Sequence, residues 1–363
     1  MTRADQVTGE SAGARGRSRR ARRVVIVVVS ACILLVSGVV LSAALGQLPI
    51  SVGNVAGSLL RAVSIDNPWA PTDELIERTL WQIRFPRVVM SLLVGATLAI
   101  AGAVMQAVFG NPLAEPGVVG VSSGAALGAA SAITFGLAFL GGWTIAAFAF
   151  VGGLIATLLV YATARAQGRT ETVTLLLTGV AINAFAGAGL ALITFLGDTQ
   201  SREQIVFWQL GSINGARWDE VAVVGVVGAC ATAVIMAFAR QYDLLALGDR
   251  TASHLGIKVE RLRIASIVLV ALLTGAGVAF VGIISFVGLV VPHLIRMLLG
   301  PAHRMLFIAS LVGGAALLVW ADLLARTLVE ASDLPIGMLT SLVGGPFFYW
   351  LIRRNRRQSG GWA

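Results

Sequence analysis

Apolar runs of about 20 residues recur from one end of this 363-residue chain to the other, and a chain built this way has few ways to fold. Each run is long enough for a helix, rising about 1.5 Å per residue, to cross a hydrocarbon core of about 30 Å. Their approximate bounds are 24–45, 87–109, 118–140, 143–163, 172–196, 218–239, 262–282, 284–299, 304–325 and 336–352. Asp, Glu, Lys and Arg make up 12% of the residues, about half the usual quarter, so no water-soluble core could hide the apolar remainder. A soluble enzyme, a disordered chain and a disulfide-stapled secreted domain are excluded. The expectation is an all-α polytopic membrane protein with about ten transmembrane helices, in contact with membrane lipid.

The stretch from Leu262 to Leu299 is too long for one crossing, and Gly282 is the expected turn. The first run, from Val24 to Leu45, has 22 residues, beyond the roughly 7–15 of a signal-peptide core, so it reads as a retained span. Residues 1–23 form a basic cytoplasmic tail with seven arginines, 24–353 the ten-span domain, and 354–363 a second cytoplasmic tail. With the N-terminus inside, 20 of the 27 basic residues fall on the cytoplasmic side, which supports an even span count in a plasma (inner) membrane with both ends inside. The net charge of +9 therefore reports topology and not a nucleic-acid partner. Lys258 is the only lysine, so the chain has no Gly-Lys-Ser/Thr phosphate loop, and any ATP that drives it binds another subunit.

Few residues inside the runs carry chemistry. Gly120-Val-Ser-Ser-Gly124 matches a serine-nucleophile pattern, but it opens an apolar span without a histidine base. Gly120, Gly124 and Gly128 at four-residue steps read better as a close helix contact. His254, His293 and His303 fall near the cytoplasmic side and give no metal site; Cys32 and Cys230 pack as small hydrophobes. Asp322 is the exceptional acid within a span, and Arg326 one turn later makes it a local helix pair. Coupling to an ion gradient, which needs ionisable groups or broken helices at mid-depth, is weakly supported.

Between the runs, Arg84-Phe-Pro-Arg87 sets two cations at the outer start of the second span, where the helix macrodipole disfavours them and an acidic partner would offset the cost. Membrane anchoring by snorkelling is the alternative. Asn111-Pro-Leu-Ala-Glu-Pro-Gly117 cannot continue a helix and reads as a tight inner turn or a constriction beside a pathway. Residues Leu244 to Lys258 read as two very short helices hinged near Gly248 and ending at Gly256, with leucines that must dock on this chain or on another protein.

Together with Trp81-Gln-Ile-Arg-Phe-Pro-Arg87, Gly102-Ala-Val-Met-Gln106, Gly288-Leu-Val-Val-Pro-His293 and Leu334-Pro-Ile-Gly337, these motifs make the chain resemble the FecCD-type permeases of bacterial iron-chelate and cobalamin ABC importers from about Trp81 to Arg353. The resemblance implies a type II ABC importer permease fold, a homodimer, two ATPase subunits that hold ATP and Mg, and an extracytoplasmic substrate-binding protein. It implies no cofactor on this chain and no enzyme activity of its own. It places binding-protein docking on Arg84, Arg87 and Arg326, and ATPase coupling on Leu244, Leu247, Gly248, Ala252, Leu255 and Gly256. The cytoplasmic gate falls on Asn111, Pro112, Leu113, Thr172 and Val173, the last standing where the cobalamin importers carry a hydroxyl residue. Phe207-Trp-Gln-Leu-Gly-Ser-Ile-Asn-Gly-Ala-Arg-Trp218 is most similar to the haem-type branch, with ferric siderophores and cobalamin as other cargoes. A gradient-driven carrier and an intramembrane serine hydrolase are the readings from other classes.

Overall fold

The computed structural model describes residues 3–166, 169–170, 172–329 and 332–358. In hydrocarbon no water satisfies an exposed peptide group, so the apolar runs close their hydrogen bonds within helices. The first, α1 (Arg3–Ala44), carries its membrane-length apolar part over Val24–Ala44, mostly uncovered by the rest of the chain. A short helix α2 (Val52–Ala62) follows, capped by Ser51, whose hydroxyl accepts the Asn54 N–H at 3.1 Å.

The next helix differs from the expected one. α3 (Glu74–Thr79), a π-helical turn at Leu80–Arg84 and α4 (Phe85–Phe109) form one continuous 36-residue rod. The widened π turn just before Pro86 absorbs the clash its ring would make with the carbonyl four residues back. The rod instead starts at Asp73, which accepts the Leu75 N–H at 2.8 Å, with Glu74 and Glu77 in its first turn. The acids therefore occupy the positive end of the macrodipole, and Arg84 and Arg87 lie too far along the helix to incur the expected cost.

After α4 the chain turns at Gly110 (φ +57°) and passes through a 3-10 turn at Pro116–Val119 into α5 (Val121–Thr134). At 14 residues α5 is about 21 Å long, which corrects the expected span 118–140 to a half-length helix. Then come α6 (Thr144–Ala164), a hairpin of β1 (Arg165–Ala166) and β2 (Arg169–Thr170), and α7 (Thr172–Leu196). An unanticipated helix, α8 (Thr199–Leu210), is capped by Asp198; the Ser201 N–H donates to its carboxylate at 2.8 Å and holds it below the usual carboxylate range. α9 (Trp218–Ala237), α10 (Ala239–Leu245), α11 (Asp249–His254) and α12 (Val259–Val281) follow. The chain turns at Gly282 (φ +72°), as expected, but 282–286 is not helical and α13 (Val287–Leu299) is again short. α14 (His303–Thr327) and α15 (Ile336–Gln358) complete the bundle. Seven helices are long and apolar enough to cross a membrane, with α5 and α13 shorter, so ten is an approximate count.

α4 lies at the centre, packed against α14, α12, α13 and α9, and is buried along almost its whole length. Glycine makes this possible where backbones meet: a β-carbon on Gly102 would overlap the Gly288 carbonyl of α13, and one on Gly95 the Gly314 carbonyl of α14. Gly124 and Gly128 serve the contact of α5 with α6, as their spacing predicts; their β-carbons would overlap the carbonyls of Gly152 and Phe148. Ser123 donates to Asn183 Oδ1 at 2.5 Å and to the Gly120 carbonyl at 3.1 Å, which makes it a helix-contact residue. Gly102→Ala is expected to destabilise the protein in detergent by about 1–3 kcal/mol or more through backbone separation. Gly187→Ala in α7, whose β-carbon meets nothing within 4 Å, should be neutral or stabilise by up to about 1 kcal/mol through helix propensity. Thermal unfolding of the two purified variants checks both.

Candidate functional site

Two groups of side chains stand out, one at each end of α14. At the end where α14 finishes, the bundle gathers Arg84 and Arg87 of the long rod, Asp322 and Arg326 of α14, and Asp333 of the segment before α15. Arg87 Nε donates to both carboxylate oxygens of Asp322, at 3.0 and 3.1 Å. Its Nη1 donates to Asp333 at 2.8 Å and to Asn214 at 3.4 Å. The expected local pair is thus the looser contact, with Arg326 Nε 3.7 Å from Asp322, because the carboxylate faces α4.

Arg84 and Arg326 serve a different acceptor set. Arg84 Nη1 donates to the carbonyls of Ala43 (2.9 Å) and Leu45 (2.6 Å), and its Nη2 to Leu48. Arg326 donates to Leu45 O (2.8 Å), Ser42 Oγ (2.7 Å) and Ser42 O. Two guanidinium groups therefore satisfy carbonyls that α1 cannot pair at its own C-terminus, where the macrodipole also favours cations. Within the chain these arginines already have partners, with Arg84 and Arg87 only 5% and 9% exposed. Asp333, whose side chain is 26% exposed, is the acid of this cluster that solvent reaches. A lone acid before a Leu-Pro-Ile-Gly turn gave no signal of this role.

The other group is the predicted coupling segment. Gly248 (φ +96°) is the hinge between α10 and α11, and Gly256 (φ +86°) follows α11, as the spacing predicts. The first helix starts earlier than expected, at Ala239, so Leu244 lies in its last turn. Leu247 and Leu255 are 59% and 55% exposed, while Ala252 is buried and Leu244 half-buried. Tyr242 and Asp243, which sequence reasoning missed, anchor the segment. Tyr242 Oη and Ser266 Oγ of α12 are 2.7 Å apart, and the Tyr242 ring meets Phe307 of α14 edge-on at 5.5 Å. Asp243 Oδ1 accepts the His303 backbone N–H and lies 2.8 Å from His303 Nδ1.

Of the predicted gate, Asn111 caps the reversal after α4 by accepting the Leu113 N–H at 2.9 Å, leaving Pro112 and Leu113 exposed. Val173, in the first turn of α7, is also exposed; the side chain of Thr172 lies outside the described residues. Among the described residues no group of three or more His, Cys, Asp or Glu could hold a metal ion, and Cys32 and Cys230 are free thiols. The geometry presents an exposed apolar edge at one end and a held charge cluster at the other. Replacing Asp322 by Ala leaves Arg87 and Arg326 buried without their shared carboxylate, an expected loss of about 3–5 kcal/mol. The joint Arg87→Met and Asp322→Leu variant should lose less, and a double-mutant cycle on thermal unfolding measures the coupling.

The FecCD transport family matches residues 32–354 of the chain. The hemin transport system permease protein HmuU of Yersinia pestis is 42% identical over 302 residues, covering 78% of this chain and 90% of that protein. The cobalamin import system permease protein BtuC of Halobacterium salinarum is 38% identical over 356 residues, with coverages of 89% and 95%. A solved ABC transporter assigned to the metal-chelate type, in an inward-facing conformation, superposes with a TM-score of 0.78 at 30% identity, covering 90% of this chain and 98% of its own.

Proposed function

Because this chain belongs to the FecCD transport family and has the all-helical fold of a type II ABC importer permease, we propose that it moves an iron-containing chelate, haem, into the cytoplasm. The observation that carries this choice is the 42% identity to a hemin permease over 302 residues. Cobalamin is the second reading, favoured by the 38% identity that extends over 356 residues of a cobalamin permease. Ferric siderophores remain a third cargo of the same chemical class as haem.

In this reading two copies of the chain enclose the pathway in the inner membrane, with both termini cytoplasmic. Two ATPase subunits, which hold ATP and Mg, seat against the coupling segment through Leu247 and Leu255, and a substrate-binding protein delivers the cargo on the opposite face. Nucleotide shifts the populations of states that differ in access to each side. The Asp243 and Tyr242 contacts pass movement of the coupling segment to α14 and α12. Asn111, Pro112, Leu113, Thr172 and Val173 close the cytoplasmic side. Docking engages Arg87 by exchanging Asp333 for a carboxylate of the binding protein, while Arg84 and Arg326 hold the end of α1.

The deciding experiment reconstitutes the permease with its ATPase and adds the binding protein loaded in turn with haem, a ferric siderophore and cobalamin. Stimulated ATP hydrolysis and uptake with haem alone is the expected result, and a response to cobalamin alone would move the assignment to the second reading. Replacing Leu247 and Leu255 together by Asp should release the ATPase during co-purification, and an intact complex would contradict the coupling role. Asp333→Asn removes a competing charge from Arg87 and should tighten binding-protein association severalfold at low salt, with less effect at high salt. Unchanged affinity would remove Arg87 from the docking surface.

A further inference from the structure

The connection between α1 and the long rod carries more exposed apolar surface than a water-facing segment needs. Val52, Leu59, Val63, Ile65 and Trp69 are each between 48% and 67% exposed. Val52, Ala56, Leu59 and Val63 follow one another at four- and three-residue steps, so they form one stripe along α2 and into the residue that ends it. Asn54 and Arg61 lie on the opposite face, and Arg61 is the only charged residue of the helix. A third side, through Val55 and Ser58, is buried against the bundle. Scattered exposed apolar residues need no partner, whereas a continuous stripe backed by a polar face is the arrangement of a helix that lies at a membrane surface.

The contacts of α2 fix its depth. The apolar part of α1, Val24–Ala44, has 21 residues and spans about 31 Å, the thickness of a hydrocarbon core, so Ala44 marks the edge of that core. Arg84 donates to the carbonyls of Ala43 and Leu45, which puts this part of the rod at the same level. The Ile50 N–H donates to the Ala44 carbonyl at 3.0 Å, so the chain enters α2 at that level too. Eight residues later, Ser58 Oγ accepts the Trp81 Nε1–H at 2.9 Å, and Trp81 is three residues, about 5 Å, beyond Arg84 on the rod. The chain thus covers about 12 Å while climbing about 5 Å. α2 therefore runs mainly along the membrane plane, within a headgroup layer about 5–7 Å deep.

Orientation selects the occupant of the stripe. If it faced a protein above the membrane, the opposite face would turn Asn54 and Arg61 toward hydrocarbon, although Arg61 is exposed and pairs only one of its donors, with the Pro71 carbonyl at 2.9 Å. If it faces lipid, both polar groups reach water. α2 packs on the end of α1, whose apolar span is itself mostly uncovered by the chain, so the stripe continues a surface already suited to lipid. The return segment supports the same placement. A β-carbon on Gly57 would overlap the Trp69 carbonyl, and Asn67 Nδ2 donates to the Gly57 carbonyl at 3.0 Å, so Trp69 is held beside α2. Tryptophan is enriched at membrane–water interfaces because its indole is apolar with one polar N–H.

We propose that α2 is an interfacial helix whose partner is membrane phospholipid. Val52, Ala56, Leu59 and Val63 sit in the boundary between acyl chains and headgroups, Trp69 anchors beside them, and the helix braces the end of α1 at a fixed depth. The inference requires only that the chain spans a membrane; in the transport reading the leaflet is the outer one. The test uses the full-length permease with Cys32 and Cys230 replaced by Ala and one cysteine introduced at a time, as Val52→Cys, Leu59→Cys, Val63→Cys or Asn54→Cys. Each carries a nitroxide in nanodiscs of phosphatidylcholine and phosphatidylglycerol. Power saturation reads its collisions with oxygen, which concentrates in lipid, and with a water-soluble nickel chelate. The ratio of oxygen to nickel collisions is expected to be severalfold higher at 52, 59 and 63 than at 54. Equal ratios would place the stripe in water, and low collision with both reagents would show that protein, such as a second copy, covers it; either result overturns the proposal. Each position is read on its own, so a variant that fails to fold leaves the test decisive. No outcome bears on whether the protein imports a chelate, because the measurement uses no cargo, nucleotide or binding protein.

Discussion

The pairing of Arg87 with Asp322 joins the two helices on which the rest of the bundle is assembled. α4 is buried along nearly its whole length, and α14 packs on it more extensively than any other helix does. A guanidinium and a carboxylate so far from water are stable only as partners, since either alone would leave a buried charge uncompensated. Around them the other contacts fall into place: Asp333 brings in the segment before α15, and Arg84 and Arg326 hold the end of α1. α1 depends on this arrangement because its apolar surface is mostly uncovered by the chain.

α14 also links the two ends. Its 25 residues, about 37 Å, carry Asp322 and Arg326 near one terminus and His303 and Phe307 near the other. The segment of α10 and α11 holds the second terminus through Asp243 and Tyr242, so an exposed leucine edge and a charge cluster share one helix. In an importer, where events on one face must alter access on the other, a single packed helix with anchored ends is a direct mechanical connection.

Helices that stop partway create the interior's polar features. α5 and α13 are short because 110–120 and 282–286 do not continue a helix, and lipid tolerates such backbone only where protein covers it. The glycine contacts provide that cover. At Gly102 the α13 backbone comes so close that any β-carbon would collide with the Gly288 carbonyl.

Much of the fold was legible because its causes are local. Apolar run length set the helices; Gly282 marked a turn; Gly248 and Gly256 bounded α11 through conformations that glycine adopts at low cost. The exposure of Leu247 and Leu255 followed from leucines in a segment too short to bury them. What the pattern could not express was depth and partnership. Pro86 looked like a helix start because run length does not reveal a π turn upstream, and Asp322 was paired with its helix neighbour because sequence spacing records only contacts along one helix. Its true partner, Arg87, is 235 residues away. The segment of Glu115 read as a tight inner turn or a constriction, and which residues it meets there, Ser122 and Thr274 among them, depended on the packing of α5 and α12. The sequence by itself therefore determined that this protein spans a membrane as helices and which segments break them. Only the tertiary structure decided which buried charges meet, since that depends on how helices distant in the chain pack side by side.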